Sequence, residues 1–350
     1  MTELSNTTQK KRMSAADKRK RALFVHKVVR FAVQLVFFVL SPALFSGAFN
    51  GVKYIFTRLG LGAPLEMTSF LALLIALLGF TIVFGRFFCG YACAFGTLGD
   101  ILFAAFDFLR SKAHLPEVRF PPLLVRVLSL VKYLVLAAIC LACFLGVWAT
   151  YSGNSPWSAF STIYSGSFGG IDLIGGVLLG LIVIGMIVRE RFFCQFLCPL
   201  GAVFSLMPVL GFSEYTRKRE HCARTCGQCH KTCPVSIWPD ADTLEHGECI
   251  ACGRCAKQCP LGNINLVAVE KPASEGAKSA TESEAGAPSK SKGSAHPVRK
   301  TRESWYLVRG SGIGYTLLKA VILLVICWAM GFVRYVPAFS ELFGQLPLPF

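Results

Sequence analysis

Long uncharged apolar stretches alternate with short polar ones along the chain, a pattern that predicts membrane-spanning helices. Crossing a bilayer core of roughly 30 Å takes about 20 apolar residues in a helix. Five runs of that order occur, at 31–49, 67–85, 133–151, 173–188 and 315–333. The fourth is short but extends back through Gly169, with Asp172 at its rim, and the fifth contains Lys319, which can snorkel from one turn inside the end. A basic stretch precedes the first run, as in a secretory signal. The run is longer than a signal core, with Pro42 and Phe45 late in it, and so predicts an uncleaved anchor.

Basic residues then orient the runs. Residues 1–30 carry nine Lys and Arg and residues 86–132 carry six, whereas the connection after the first run has only Lys53 and Arg58. The connection between the third and fourth runs has none, residues 189–309 are basic again, and only Arg334 follows the fifth. This positive-inside pattern predicts a multi-pass protein of a prokaryotic cell membrane, with its N-terminus in the cytoplasm and its C-terminus outside. It also accounts for most of the net charge of +16 without nucleic acid as a partner. The N-terminal basic cluster adds an electrostatic hold on anionic lipid. A 53% hydrophobic and 16% charged composition excludes both an ordinary soluble protein and extensive disorder.

Two segments depart from this pattern. Residues 212–270 form the one sizeable soluble insert, and 271–303 are Ser, Ala, Gly, Glu and Lys with almost no large apolar side chain, the composition of a flexible linker. The layout expected is a basic segment (1–30), a four-helix membrane part (31–211), the insert (212–270), the linker (271–303) and a last helix with a short outer tail (304–350).

The membrane part is internally repeated. Arg86-Phe-Phe-Cys89-Gly-Tyr-Ala-Cys93-Ala-Phe-Gly96 matches Arg191-Phe-Phe-Cys194-Gln-Phe-Leu-Cys198-Pro-Leu-Gly201 as Arg-Phe-Phe-Cys-x3-Cys-x2-Gly, 105 residues apart. Each copy follows a helical hairpin, so the two lie on the same face, the cytoplasmic one by charge. Cysteines at i and i+4 share a helix face, and two such pairs could supply four thiolates to one metal centre, a third cluster site. Plain packing of small side chains at helix ends, or a transient redox thiol pair, are the other readings.

The chain has 15 cysteines, most of them in tight groups, which suits metal clusters and not a secreted disulfide framework. The insert holds Cys222-x3-Cys226-x2-Cys229-x3-Cys233-Pro234 and Cys249-x2-Cys252-x2-Cys255-x3-Cys259-Pro260. Two intervening residues return the next sulfur to a neighbouring iron, and in two-cluster ferredoxins the fourth cysteine, followed by Pro, turns to the other cluster. This assigns one 4Fe-4S cluster to Cys222, Cys226, Cys229 and Cys259, and another to Cys249, Cys252, Cys255 and Cys233. Zinc would not need eight ligands with Cys-Pro closing each half. The insert is small enough that its folding should depend on iron.

Weaker candidates are bland at this level. Cys140, Cys143 and Cys327 lie in apolar surroundings as packing residues, and His26 reads as a solvated headgroup-level side chain or a quinone contact. His221 and His230 flank ligands and could tune a potential. Trp157, Phe160 and Tyr164 read as an aromatic belt. No P-loop, dinucleotide fingerprint, nucleophile triad or c-type haem motif occurs.

Taken together these motifs resemble the NapH and NosR group of membrane-bound iron–sulfur proteins over residues 25–270. The second repeat carries that group's Cys-x3-Cys-Pro as Cys194, Cys198 and Pro199, whereas Ala94 stands at the proline position of the first. The resemblance implies electron transfer between the quinone pool and a redox protein partner such as a reductase subunit, a cytochrome or a soluble donor. An enzymatic role would be that of a quinol dehydrogenase subunit. Against that resemblance, the expectation is a chain without the extracytoplasmic flavin domain of the NosR branch and with the linker and fifth run in addition. The alternative is a NosR- or CcoG-like cofactor maturation or metal-reducing factor, in which the four membrane cysteines handle a metal; a redox sensor is the more remote third. The fold expected is an α-helical integral membrane protein of five transmembrane helices, two duplicated hairpins plus one, with an inserted small α+β double 4Fe-4S ferredoxin domain.

Overall fold

A proline breaks the first apolar run. In the computed structural model, helix α1 (Ala15–Leu40) stops before Ser41-Pro42, and α2 (Leu44–Gly60) starts afresh. The pyrrolidine ring disfavours helical backbone in the preceding residue and offers no N–H of its own. The structure describes residues 15–114, 120–164, 166, 172–208, 214–217, 222, 226–237, 247–261, 264–267, 269–270, 304–305 and 313–333. The expected linker at 271–303, His221, and the ends of the chain before residue 15 and after residue 333 lie outside them.

Helix α3 (Ser69–Phe84) is capped by Thr68, whose side-chain oxygen accepts the Leu71 N–H at 3.3 Å. It packs back on α2 through glycines that let backbones approach, as at membrane-helix interfaces. A Cβ at Gly51 would stand 2.6 Å from the Phe70 carbonyl oxygen. A π-helical turn (Phe88–Ala92) leads into α4 (Ala94–Lys112), followed by α5 (Pro122–Phe144) and the short α6 (Trp148–Tyr151) and α7 (Pro156–Tyr164). The second repeat unit consists of α8 (Leu173–Val188), α9 (Phe192–Phe196) and α10 (Pro199–Leu206).

The remaining elements are short until the last. They are β1 (Glu214–Arg217), α11 (Gln228–Thr232), α12 (Arg254–Gln258), β2 (Ile264–Val267), β3 (Val269–Glu270) and β4 (Ser304–Trp305), followed by the long α13 (Ile313–Ala329). Strands β1 and β2 pair antiparallel with Glu214 opposite Val267 and Arg217 opposite Ile264. Strands β3 and β4 pair antiparallel with Val269 opposite Trp305.

The protein is mostly helical and is a membrane protein. Among the described residues two helical stretches, Lys20–Leu40 and Leu123–Phe144, are long and apolar enough to cross a bilayer, and α3, α8 and α13 are shorter apolar helices. Leu134, Leu173, Leu181, Val321 and Trp328 face outward from these helices, an apolar surface of the kind lipid covers.

Polar side chains mark one common end of the helices. Arg30 and Gln34 of α1 reach the carbonyl of Gly90, just past the end of α3. Lys132 and Tyr133 of α5 meet Glu248, Arg191 follows α8, and Lys319 of α13 lies over the rings of Phe84 and Phe87. At the opposite end Phe332, beyond α13, packs on Phe70 with ring centroids 6.0 Å apart. Charged residues inside α1 and α5 thus set the depth of the apolar layer, which the helix ends do not: α1 begins well before residue 31 and α5 well before residue 133.

A stack of aromatic rings fills the centre. Phe95 meets Phe45, Phe160 and Phe193 at centroid distances of 5.1, 4.3 and 4.9 Å. Phe160 and Trp157, expected in a headgroup belt, instead pack against this core, because α7 folds inward over α2 and α4.

Candidate iron–sulfur site

Each arginine of the repeat crosses to the other copy. Arg191 donates to the carbonyls of Cys89 and Gly90, the latter at 3.2 Å, and to Asp100 Oδ2 at 2.6 Å. Arg86 lies in turn against the second copy, with its guanidinium 3.2 Å from where a Cβ of Gly201 would be. A Cβ at Gly96 would collide with the guanidinium of Arg191, so the motif glycine is the landing place for the opposite arginine. Arg191 itself adopts φ of +61°, a left-handed conformation uncommon outside glycine, held in place by its three acceptors.

The cysteines do not sit on one continuous helix as their i, i+4 spacing predicts. Cys89 lies in the π-helical turn and Cys194 in α9, whereas Cys93 and Cys198 are extended residues that cap α4 and α10. The Cys198 Sγ accepts the Gly201 N–H at 3.1 Å, a second use for the motif glycine. All four thiols are buried. Burial, together with the nearby thiols, pushes Cys93 and Cys198 far up; burial also raises Cys194, against the pull of Arg191. The copies therefore converge: Cys89 and Cys194 both stand within electrostatic reach of Cys93 and of Cys198.

Buried charge around these thiols does not balance. Asp100 accepts from Arg30 at 2.7 Å, from Gln34 at 2.6 Å and from Arg191. Burial pushes its carboxyl up, but the Arg191 and Arg30 guanidiniums outweigh that and hold it at about 2. Glu248 lies between Arg86, at 3.2 Å, and Lys132. Among the described residues, four cations thus meet two carboxylates in these ion pairs, an excess of two positive charges beside four thiols. Arg86 Nε and Arg191 Nε are buried without an acceptor. Unpaired buried charge is costly. Neutral thiols or disulfides would leave it unpaired, whereas four thiolates on an iron–sulfur cube carry a net charge of about −2 in the oxidised form. The donor set fits such a centre. Among the described residues no three His, Cys, Asp or Glu side chains are grouped as for a single metal ion.

The insert docks on this layer. Cys252 offers its carbonyl to His26 Nε2 at 2.8 Å and to the Tyr91 hydroxyl at 3.2 Å. Gly90 is required here, because a Cβ would collide with the Ile250 carbonyl. On the second copy Gln195, at the position equivalent to Gly90, donates to the Val235 carbonyl at 2.8 Å, and Arg189 donates to Ser236 Oγ at 3.0 Å. Arg254 pairs with Glu190 at 2.7 Å. Each copy of the repeat therefore carries one arm of the insert.

Within the insert, Cys233, Cys249, Cys252 and Cys255 come together. Burial pushes Cys233 up to about 12 and Cys255 well up, and each also feels Cys252 and Cys249. Of the other four, Cys229 and Cys259 share an apolar cluster with Tyr215 and Ile264, and Arg217 donates to Cys229 Sγ at 3.4 Å. Cys222 and Cys226 are half-buried on irregular chain.

Of the weaker candidates His26 changes meaning, whereas Cys143 and Cys327 pack as expected. His26 is buried and neither solvated nor free for a headgroup, because it holds the Cys252 carbonyl. Cys143 packs with Phe49 and Ile139, and Cys327 lies in the main core. Sequence reasoning passed over Asp100, Glu248, Lys132 and Gln34. Asp100 had one legible signal, a carboxylate four residues after the motif glycine in a helix with a buried first turn.

The comparisons fall on the same residues. The chain matches the "4Fe-4S binding domain" family over residues 67–116 and 171–211, which contain the two copies of the repeat. It is 30% identical over 164 residues to protein NirI of Paracoccus denitrificans, 47% of this chain and 23% of that one. It is 27% identical over 170 residues to the regulatory protein NosR of Pseudomonas aeruginosa, 48% of this chain and 23% of that one. It is 26% identical over 242 residues to the methylamine utilization ferredoxin-type protein MauN of Methylobacillus flagellatus, 63% of this chain and 78% of that one. The chain thus spans about a quarter of NirI and NosR. No solved structure matches it. Duplicated thiol pairs and these matches define a 4Fe-4S, ferredoxin-type protein. The similarity to NirI and NosR agrees with the resemblance of the motifs to the NapH and NosR group.

Proposed function

We propose that the chain is a membrane-bound electron conduit between the quinone pool and a redox protein partner. In this reading five helices cross the bilayer, the N-terminus and the insert at 212–270 are cytoplasmic, and the insert is a double-cluster ferredoxin unit of α+β type. Three thiol sets would hold 4Fe-4S clusters: Cys89, Cys93, Cys194 and Cys198; Cys233, Cys249, Cys252 and Cys255; and Cys222, Cys226, Cys229 and Cys259. Clusters of this kind, when bound, take up and release single electrons.

The observation that carries the proposal is the stacking of the three sets. Tyr91, between Cys89 and Cys93, holds the Cys252 carbonyl, so the innermost set abuts the second. Cys255 shares an apolar cluster with Cys229 and Cys259, so the second abuts the third. The residues of the chain then have separate tasks. Arg86, Arg191 and Lys132 place positive charge beside the innermost thiols and shield their layer from water. His26 and Tyr91 fix the backbone of the second set, and Arg217 donates to a sulfur of the third. The ring of Arg30, Arg86, Lys132, Arg191 and Lys319 at one end of the helices agrees with a cytoplasmic face there.

Iron-loaded protein in anaerobic liposomes tests the quinone step. Adding a short-chain quinol is expected to bleach the visible iron–sulfur absorbance. Unchanged absorbance, in a sample that dithionite still bleaches, removes quinone from the account.

A further inference from the structure

The last helix brings an unpaired cation to the second thiol set. Lys319 of α13 is 3% exposed, so it does not snorkel outward as its place near a helix end predicts. Its Nζ lies 4.4 Å from the centroid of the Tyr315 ring and 5.7 Å from those of Phe84 and Phe87. The ion pairs formed among the described residues at this end engage Arg30, Arg86, Lys132, Arg191 and Arg254, and none of them includes Lys319. Aromatic faces attract a cation but do not neutralise it. Tyr315, whose ring it covers, packs in the apolar cluster that includes Cys255, and Phe87 stacks on Tyr91, which holds the Cys252 carbonyl, so the charge stands beside the second thiol set, with Cys249 of that set in its electrostatic reach. Arg189 also lies near this set, with Cys233 in its electrostatic reach, its guanidinium over the Phe120 and Phe196 rings and no carboxylate partner among the described residues.

An ionisable side chain buried in an apolar helix persists where something compensates its charge. Four neutral cysteines would not compensate it, whereas thiolates on an iron–sulfur centre would. We propose that Lys319 is the counter-ion of the centre held by Cys233, Cys249, Cys252 and Cys255, and that its charge raises the reduction potential of that centre. A fixed cation favours the reduced form because reduction adds negative charge next to it in a medium of low dielectric. The inference rests on the reading of these four cysteines as ligands of one cluster. It gives α13 a task beyond anchoring, since the helix packs on α1, α3 and the π-helical turn and so delivers the charge to the docked insert.

Anaerobic redox titration with dithionite, followed by EPR, tests this on the full chain in detergent, with iron measured on every sample. Lys319→Met and Lys319→Gln are expected to shift the reduced-to-oxidised ratio of one ferredoxin-type signal about tenfold toward oxidised, roughly 59 mV for one electron. The second ferredoxin-type signal should stay in place, and Lys319→Arg should keep the first within about threefold of wild type. Both signals unchanged in the neutral variants, with iron retained, would overturn the inference. Loss of one signal from both neutral variants and its retention in Lys319→Arg would support the same pairing; loss from all three would overturn it. A wild-type protein without any iron–sulfur signal would instead bring down the cluster reading on which the inference stands.

Discussion

Replacing Asp100 with Ala is expected to destabilise the membrane core by about 3–5 kcal/mol, the cost typical of removing one partner from a buried ion pair. Among the described residues the carboxylate is the ion-pair partner of both Arg30 and Arg191, and it also takes the amide of Gln34. Without it two guanidiniums, 3% and 1% exposed, lose their carboxylate partner beside the Cys89 and Gly90 carbonyls. Arg191 would also lose one of the contacts that hold its left-handed backbone. The loss should appear in thermal unfolding in detergent as a clearly lowered midpoint, and in lower iron retention. Asp100→Asn keeps an acceptor for Gln34 and should fall between the two. A midpoint unchanged in Asp100→Ala would show that the arginines do not depend on this carboxylate. Because the carboxyl is held at about 2, the contribution of the pair is fully present above the ordinary carboxylate range. It is lost only as pH falls through the lowered value, so stability from this source should be flat from mild acid to neutrality.

Glu248→Gln should have the second largest effect, at a different place. Glu248 bridges Arg86 from the first repeat and Lys132 from α5, while the Gly247 carbonyl takes a second bond from Arg86 at 2.9 Å. The next residue is Cys249, so the same short arm carries both the dock and a proposed cluster ligand. Removing the charge leaves Arg86 and Lys132 buried and unpaired, and the cheapest response is release of the arm. The expected outcome is faster labelling of Cys249 and Cys252 by a membrane-impermeant thiol reagent, by roughly tenfold or more if about 1.4 kcal/mol of docking energy is lost. Labelling of Cys229 should change little, because its neighbours Tyr215 and Ile264 belong to the strand pair. Equal labelling of Cys249 in wild type and variant would mean that the dock is held by His26, Tyr91 and Gln195 without Glu248.

Much of this arrangement was legible before any geometry. The apolar runs lie in helices because about 20 uncharged residues leave a helix in lipid few alternatives. The duplicated Arg-Phe-Phe-Cys-x3-Cys-x2-Gly pointed to one shared site because a repeat that follows a hairpin twice must return to the same face. What the sequence could not show was the exchange of arginines between the copies. Arg86 and Arg191 stand in the sequence only as the first residues of the repeat, and nothing local says that each lands on the other copy's glycine. Ser41-Pro42 did carry its break in plain sight, but hydropathy averages over such a break and the first run looked continuous. His26 and Lys319 were misjudged for one reason: a lone polar residue near a helix end is usually solvated, whereas the docked insert covers His26 and the rings of Phe84, Phe87 and Tyr315 cover Lys319.

The repeat also breaks its own symmetry in an informative way. Asp100 of the first copy is matched 105 residues later by Ser205, which has no charge to offer Arg86. Glu248 of the insert supplies that carboxylate. The second half of the membrane core is thus completed by the insert, which explains why the two are docked so closely.

Iron and acid-labile sulfide per chain, measured on anaerobically purified wild type and on the Cys89/Cys93/Cys194/Cys198→Ser variant, test the three-cluster account most directly. The account predicts about twelve irons in the wild type and about eight in the variant, each matched by sulfide. About eight in both would contradict it, leaving the four inner cysteines as thiols and the excess positive charge around them without its counter-ion.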